Sequence, residues 1–132
     1  MDSPPDEIET KPVVWIVDSE QWPRAYLRAL LLERGFDAIG FIELGEAFAA
    51  IDRPHYPLPR IIVLDLHGLS LREDEQDTLA QIKIPIVGIA GAVELDQEWV
   101  RKVNWAALIQ RPATIGQIAD TIEKLIGLPK RS

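Results

Sequence analysis

Short apolar runs alternate with amphipathic stretches along the chain, and the alternation predicts strands and helices in turn. Val13-Val14-Trp15-Ile16-Val17 is unbroken and rich in β-branched residues, the pattern of a strand covered on both faces, as parallel strands are. Asp18-Ser19-Glu20 ends it. A helix follows over about 23–34, with Leu27, Leu30 and Leu31 as its apolar stripe. Pro23 suits its first turn and Gly35 the position after its last. Residues 36–41 form a short second strand, and 45–52 a helix with Leu44, Ala47, Phe48 and Ile51 on one face. Pro54, Pro57 and Pro59 make 52–59 a loop. Ile61-Ile62-Val63-Leu64 repeats the buried-strand pattern and ends at Asp65.

A polar helix is predicted over 73–81 and a fourth strand over 85–89, ending at Ala90-Gly91. A fourth helix runs from there to about Val103, because Leu95, Trp99 and Val103 recur at i, i+4 and i+8. Residues 106–110 form the last strand, closed by Arg111-Pro112. The last helix spans about 114–126, with Thr114 as N-cap, Gly127 after its end, and a core face that includes Ile115, Ile118, Ile122 and Ile126. Strands alternating with helices in this way predict an α/β fold with a doubly wound, five-stranded parallel sheet. Ligands of such sheets sit beyond the carboxyl ends of the strands. Those ends carry Asp18, Asp65, Ala90-Gly91 and Arg111.

Composition narrows the chemistry. The chain has 132 residues, enough for one domain that buries its own core. There is no cysteine, and the two histidines, His55 and His67, are too few for a histidine-rich metal cluster. The net charge is −7. Asp2, Asp6, Glu7 and Glu9 stand against Lys11 in residues 1–12, and no basic stripe follows, so direct nucleic-acid binding is not expected. Residues 1–12 read as a disordered acidic tail, 13–128 as the folded domain and 129–132 as a frayed C-terminal tail. No apolar run reaches the ~20 residues of a membrane span, and the N-terminus lacks signal-peptide features. A cytoplasmic location is the expectation.

Two acids at neighbouring strand ends bind a hard cation or share a proton. Asp65 is also of the type that accepts a phosphoryl group. The plainer alternative is that both acids cap loops at the sheet edge.

The ordered set of elements resembles the response-regulator receiver family. The resemblance covers about residues 13–127. It rests on a buried strand ending in Asp18, a helix ending in Arg34-Gly35-Phe36, the stretch Gly45-Glu46-Ala47-Phe48, and a second buried strand ending in Asp65. Ile84-Pro85-Ile86-Val87 and Ile109-Gln110-Arg111-Pro112 complete it. It implies a flavodoxin-like strand order 2-1-3-4-5 with two helices on one face and three on the other. It also implies that Asp65 is the phosphoacceptor, that Asp18, Asp65 and the backbone carbonyl of His67 face a magnesium ion, and that the Arg111-Pro112 bond is cis.

Several positions depart from the family pattern. Ser19 stands where the family has a second acid, Ala90 where it has a phosphoryl-binding hydroxyl, and Leu108 where it has a switching aromatic ring. Arg111 replaces a lysine, keeping the charge but not its compact shape. The lost hydroxyl bond is worth about 1.5–3 kcal/mol, and a site short of one carboxylate holds magnesium weakly. The third helix also looks trimmed. The reading is an atypical stand-alone receiver that is not an enzyme and works through protein–protein contact with a histidine kinase, a phosphotransferase or an effector.

Phosphorylation of Asp65 with weak magnesium is the main alternative. More remote are a hydrolase built on Ser19, His67 and Asp18 or Asp65, which lacks the nucleophile elbow, and a nucleotide- or flavin-binding domain. Trp99 and Trp105 mark a possible partner or homodimer face, provided that one or both rings are exposed; the competing reading packs both against the core.

Overall fold

The computed structural model describes residues 11–129. The acidic tail expected over 1–12 lies outside the described residues except at Lys11 and Pro12, and the C-terminal tail except at Pro129. The elements in chain order are β1 (Val13–Val17), α1 (Gln21–Glu33), β2 (Asp37–Phe41), α2 (Leu44–Ile51), β3 (Ile61–Asp65), α3 (Glu73–Gln81), β4 (Ile86–Ala90), α4 (Ala92–Leu95), α5 (Glu98–Lys102), β5 (Ala107–Gln110) and α6 (Ile115–Ile126). The five strands are parallel and lie in the order β2-β1-β3-β4-β5. This is the expected flavodoxin-like α/β fold.

The apolar strands of the middle of the sheet need cover on both faces, and they have it. On one face α1 and α6 pack Leu27, Leu31, Ile118 and Ile122 over Val14, Ile16, Val63 and Val87. On the other, α2, α3 and α5 bring Leu44, Ala47, Leu79 and Val100 onto Trp15, Val17, Ile62 and Leu64. Trp15 is fully buried, its ring 4.8 Å from that of Phe41, and its indole N–H donates to the Pro57 carbonyl at 3.1 Å. The proline-rich loop thereby closes over the ring and satisfies its only polar atom.

The helix ends follow local chemistry. Gly35 takes φ +96° after α1, where a side chain would be strained. Thr114 accepts from the Gln117 N–H at 3.1 Å, and the Gln117 side chain accepts from the Thr114 N–H at 2.8 Å, a reciprocal cap for α6.

One expected element differs. The single helix reaching Val103 is two short helices, α4 and α5, separated by Asp96 and an extended Gln97. A continuous helix with an i, i+4, i+8 stripe would turn Leu95, Trp99 and Val103 inward together. The break re-phases the second turn, so that Val100 is buried and Trp99 is only half-buried. The Trp99 indole N–H donates to the Gln97 side chain at 2.6 Å, across the break.

Trp105 has a further role. Its indole N–H donates to the Val100 carbonyl at 2.7 Å, and its ring lies over Gly88 of β4. A Cβ at residue 88 would stand 2.8 Å from a Leu108 methyl carbon and 2.9 Å from ring carbons of Trp105. Gly88→Ala is expected to lower unfolding free energy by about 1–3 kcal/mol through overpacking. Urea unfolding checks it: the midpoint should fall at unchanged slope. An unchanged midpoint would show that the ring moves aside at no cost.

Candidate functional site

The carboxyl ends of β1 and β3 are neighbours, because Val17 is paired with Leu64. Asp18 follows β1 and Asp65 closes β3, so the sheet alone brings the two acids together. The backbone continues the ladder just past them. The Asp18 N–H donates to the Phe41 carbonyl at 3.0 Å, the Leu66 N–H to Ile89 at 2.9 Å, and the Arg111 N–H to Ala90 at 2.9 Å. Arg111 therefore leaves β5 on the same edge. The Arg111-Pro112 peptide bond is cis.

Arg111 and Asp65 form an ion pair through Nη2 and Oδ2. The other Asp65 oxygen, Oδ1, accepts from the His67 N–H at 2.8 Å. Each oxygen thus already holds one bond, and the Asp65 side chain is 12% exposed. The guanidinium is held still more firmly protonated, first by its hydrogen bond to Asp65, against its own burial, and then by the fields of Asp65, Asp18 and Glu94. Glu94 is placed by accepting from the Gly91 N–H at 2.9 Å.

Asp18 is the buried acid of the site, at 9% exposure. Its Oδ1 accepts from the Glu20 N–H at 2.9 Å, and its carbonyl accepts from Arg24 Nη1 at 2.7 Å. Arg24 reaches that carbonyl because Gly40 leaves its stem room: a Cβ at residue 40 would lie 3.0 Å from Arg24 Cδ. Arg24 and Glu94 are site-positioning residues that sequence reasoning missed. No local spacing joins Arg24 to Gly40, since the contact is made only when α1 packs on β2.

Ser19 and His67 are exposed, and Ala90 is fully buried with only a methyl group to offer. Leu108 is 38% exposed on β5, and Trp99 and Trp105 are half-buried with ring centroids 6.4 Å apart. Among the described residues, no hydrogen bond joins Ser19 to His67, and no three His, Asp or Glu side chains are grouped to hold a metal. The donor set falls short of a magnesium site: one of the two carboxylates is tied to a guanidinium, and Ser19 beside the other is neutral.

Two cavities meet at the acids. A polar cleft of about 520 Å³ runs toward Glu43, Arg72 and Glu75, and an apolar one of about 370 Å³ runs toward Leu27, Ala113 and Ile118. Asp18, Asp65 and His67 line both.

No family model matches the chain, and no curated protein matches it. Solved structures do. A response regulator from Thermotoga maritima is 17% identical, with a TM-score of 0.67 over 89% of this chain and 98% of that one. A response regulator receiver protein from Pseudomonas putida is 22% identical, with a TM-score of 0.68 over 89% and 99%. Full-length FixJ from B. japonicum is 22% identical with a TM-score of 0.68, and there the match covers 89% of this chain and 59% of that one. The chain thus has a doubly wound flavodoxin-like fold. Within that class, its fold is that of response-regulator receiver domains.

Burial raises the Asp18 carboxyl above the ordinary 3.8; the Glu20 N–H opposes this, the fields of Asp65 and Glu20 add to it, and Arg111 offsets part. A carboxyl whose folded value lies above its unfolded one binds more protons when folded. Its ionisation therefore costs stability: nothing below the unfolded value, progressively more through the raised one, and the full amount above it. Asp18→Asn keeps the oxygen that accepts from Glu20 and removes the charge. The variant is expected to melt a few degrees above wild type at pH 7, with the gain vanishing as pH falls below about 3.8. Thermal melts across that pH range check it. A variant less stable at pH 7 would show that Asp18 is needed as an ion.

Proposed function

We propose that this chain is a receiver-type signalling module of the two-component kind that works in the cytoplasm by docking another protein, without a phosphoryl-driven switch. The observation that carries this reading is the state of Asp65. Both of its oxygens are engaged, one by Arg111 and one by the His67 N–H. Around it, Ser19 brings no charge, Ala90 brings no hydroxyl, and Leu108 brings no aromatic ring.

Phosphoryl transfer to Asp65 requires a carboxylate oxygen to attack phosphorus while the donor's leaving group departs, an imidazole nitrogen from a phosphohistidine or a carboxylate oxygen from an acyl phosphate. The three anionic oxygens of the phosphoryl group then need cationic and hydrogen-bonding partners. Arg111 is the cation in contact with Asp65, and it is already paired. Magnesium dehydrates reluctantly and relies on carboxylate charge, so the two remaining acids hold it weakly. A module of this kind takes a histidine kinase, a phosphotransferase or an effector as its partner.

The experiment compares wild type and Ser19→Asp. Magnesium is titrated by tryptophan fluorescence, with Trp22, 63% exposed near the start of α1, as the reporter near the site. Each protein is then treated with a small acyl phosphate and weighed intact. Wild type is expected to show little response at millimolar magnesium and slow or absent labelling of Asp65. Ser19→Asp is expected to gain cation affinity by about tenfold or more, without regaining a switch. Tight magnesium binding and rapid labelling of wild type would overturn the reading in favour of a working phosphoacceptor.

A further inference from the structure

Arg111 has two carboxylates within its field on the β3 side of β4, and only one of them holds it. The peptide group joining Ala90 to Gly91, at the end of β4, is bonded from both sides. Its carbonyl accepts from the Arg111 N–H at 2.9 Å, and its N–H donates to Glu94 Oε1 at 2.9 Å. A trans peptide points these two groups in opposite directions. Glu94 is therefore bonded on the side of β4 away from β5, the side on which β3 lies. The Arg111 guanidinium crosses to that same side to reach Asp65, and the field of Glu94 helps to keep it protonated. Glu94 itself has no ion pair among the described residues. The Arg111 side chain makes one hydrogen bond there, through Nη2, of the five N–H donors a guanidinium carries.

The helix that carries Glu94 is weakly committed to the core. α4 has four residues, none of them buried, and an extended Gln97 follows it. Its start is held by the Glu94–Gly91 bond and by the Leu95 N–H on the Gly91 carbonyl at 3.1 Å. A single turn with few buried contacts opens at low cost. Asp18 is the other acid in the field of Arg111, but it follows β1, one strand beyond Asp65, and is held by the Glu20 N–H. Glu94 follows β4, the strand next to that of Arg111.

We propose that Arg111 is a two-position tether: it exchanges between Asp65 and Glu94, and its passage to Glu94 takes that side chain off the Gly91 N–H and loosens α4. The guanidinium stays with Asp65 while Asp65 is charged and unclaimed. A cationic side chain of a docked protein that claims Asp65 releases Arg111 to Glu94, and the strand end is thereby coupled to the surface around α4 and Trp99. The coupling is reciprocal, so a partner that holds α4 in place also holds Arg111 on Asp65. The packing of Trp105 over Gly88 stays fixed in both positions. The device goes beyond the docking reading and does not depend on it, because the exchange takes place within the chain.

The test follows the Gly91 amide by ¹H–¹⁵N NMR in the full 132-residue chain. Asp65→Asn removes the charge that holds Arg111 while keeping the shape of the side chain. It is expected to raise the exchange rate of the Gly91 amide at least fivefold and to move the ¹³Cα shifts of residues 92–95 toward coil values. Asp65→Asn/Arg111→Gln has no cation to capture Glu94, and Asp65→Asn/Glu94→Gln has no charge to attract the cation. Both double variants should keep the Gly91 amide within twofold of wild type. Thermal melts check that each variant is folded, and Asp65→Ser, which also removes the charge, replaces Asp65→Asn if that variant is not. An unchanged Gly91 amide in the single variant would overturn the proposal. So would an equal rise in the single variant and the Arg111→Gln double variant, which would make the effect a general loosening. A response at the Glu20 amide in place of Gly91 would overturn it too, by showing that Arg111 passes to Asp18.

Discussion

The ion pair between Arg111 and Asp65 ties the edge of the sheet to its centre. β5 is an edge strand, hydrogen-bonded to β4 alone. The guanidinium reaches past β4 to the end of β3 and so crosses the width of two strands. It also sits where a like-charge problem would otherwise arise. A parallel sheet with β1 and β3 adjacent must end both strands on the same edge, and both end in acids. One cation then serves the field of two carboxylates, bonding Asp65 directly and acting on Asp18 only through space. The asymmetry between the two acids follows. Asp65 becomes part of the scaffold, while Asp18 is held by the Glu20 N–H and has no ion pair of its own among the described residues.

The neighbouring packing has a similar finality. Gly88 has no side chain, and Trp105 and Leu108 occupy the space above it at contact distances that leave no room for a methyl group. The Trp105 ring is further anchored by its N–H on the Val100 carbonyl. A switch needs an element with two arrangements of comparable energy. Close packing around a bare glycine and a bonded indole supports one arrangement.

Much of this was legible in the chain itself. Runs such as Val13–Val17 and Ile61–Leu64 leave no polar face, which forces a sheet covered on both sides and so a parallel, doubly wound one. Once that holds, strand-end residues converge, and Asp18, Asp65 and Arg111 were identifiable from position alone. Gly35 and the Thr114 cap were legible because turn and cap chemistry is local. What was not legible is what tertiary contact decides. The stripe Leu95, Trp99, Val103 has helical spacing, yet the helix ends at Leu95 and a new one starts at Glu98, with Val100 and not Trp99 as its fully buried residue. The Arg24–Gly40 contact and the anchoring of Trp105 each join residues that no sequence period relates.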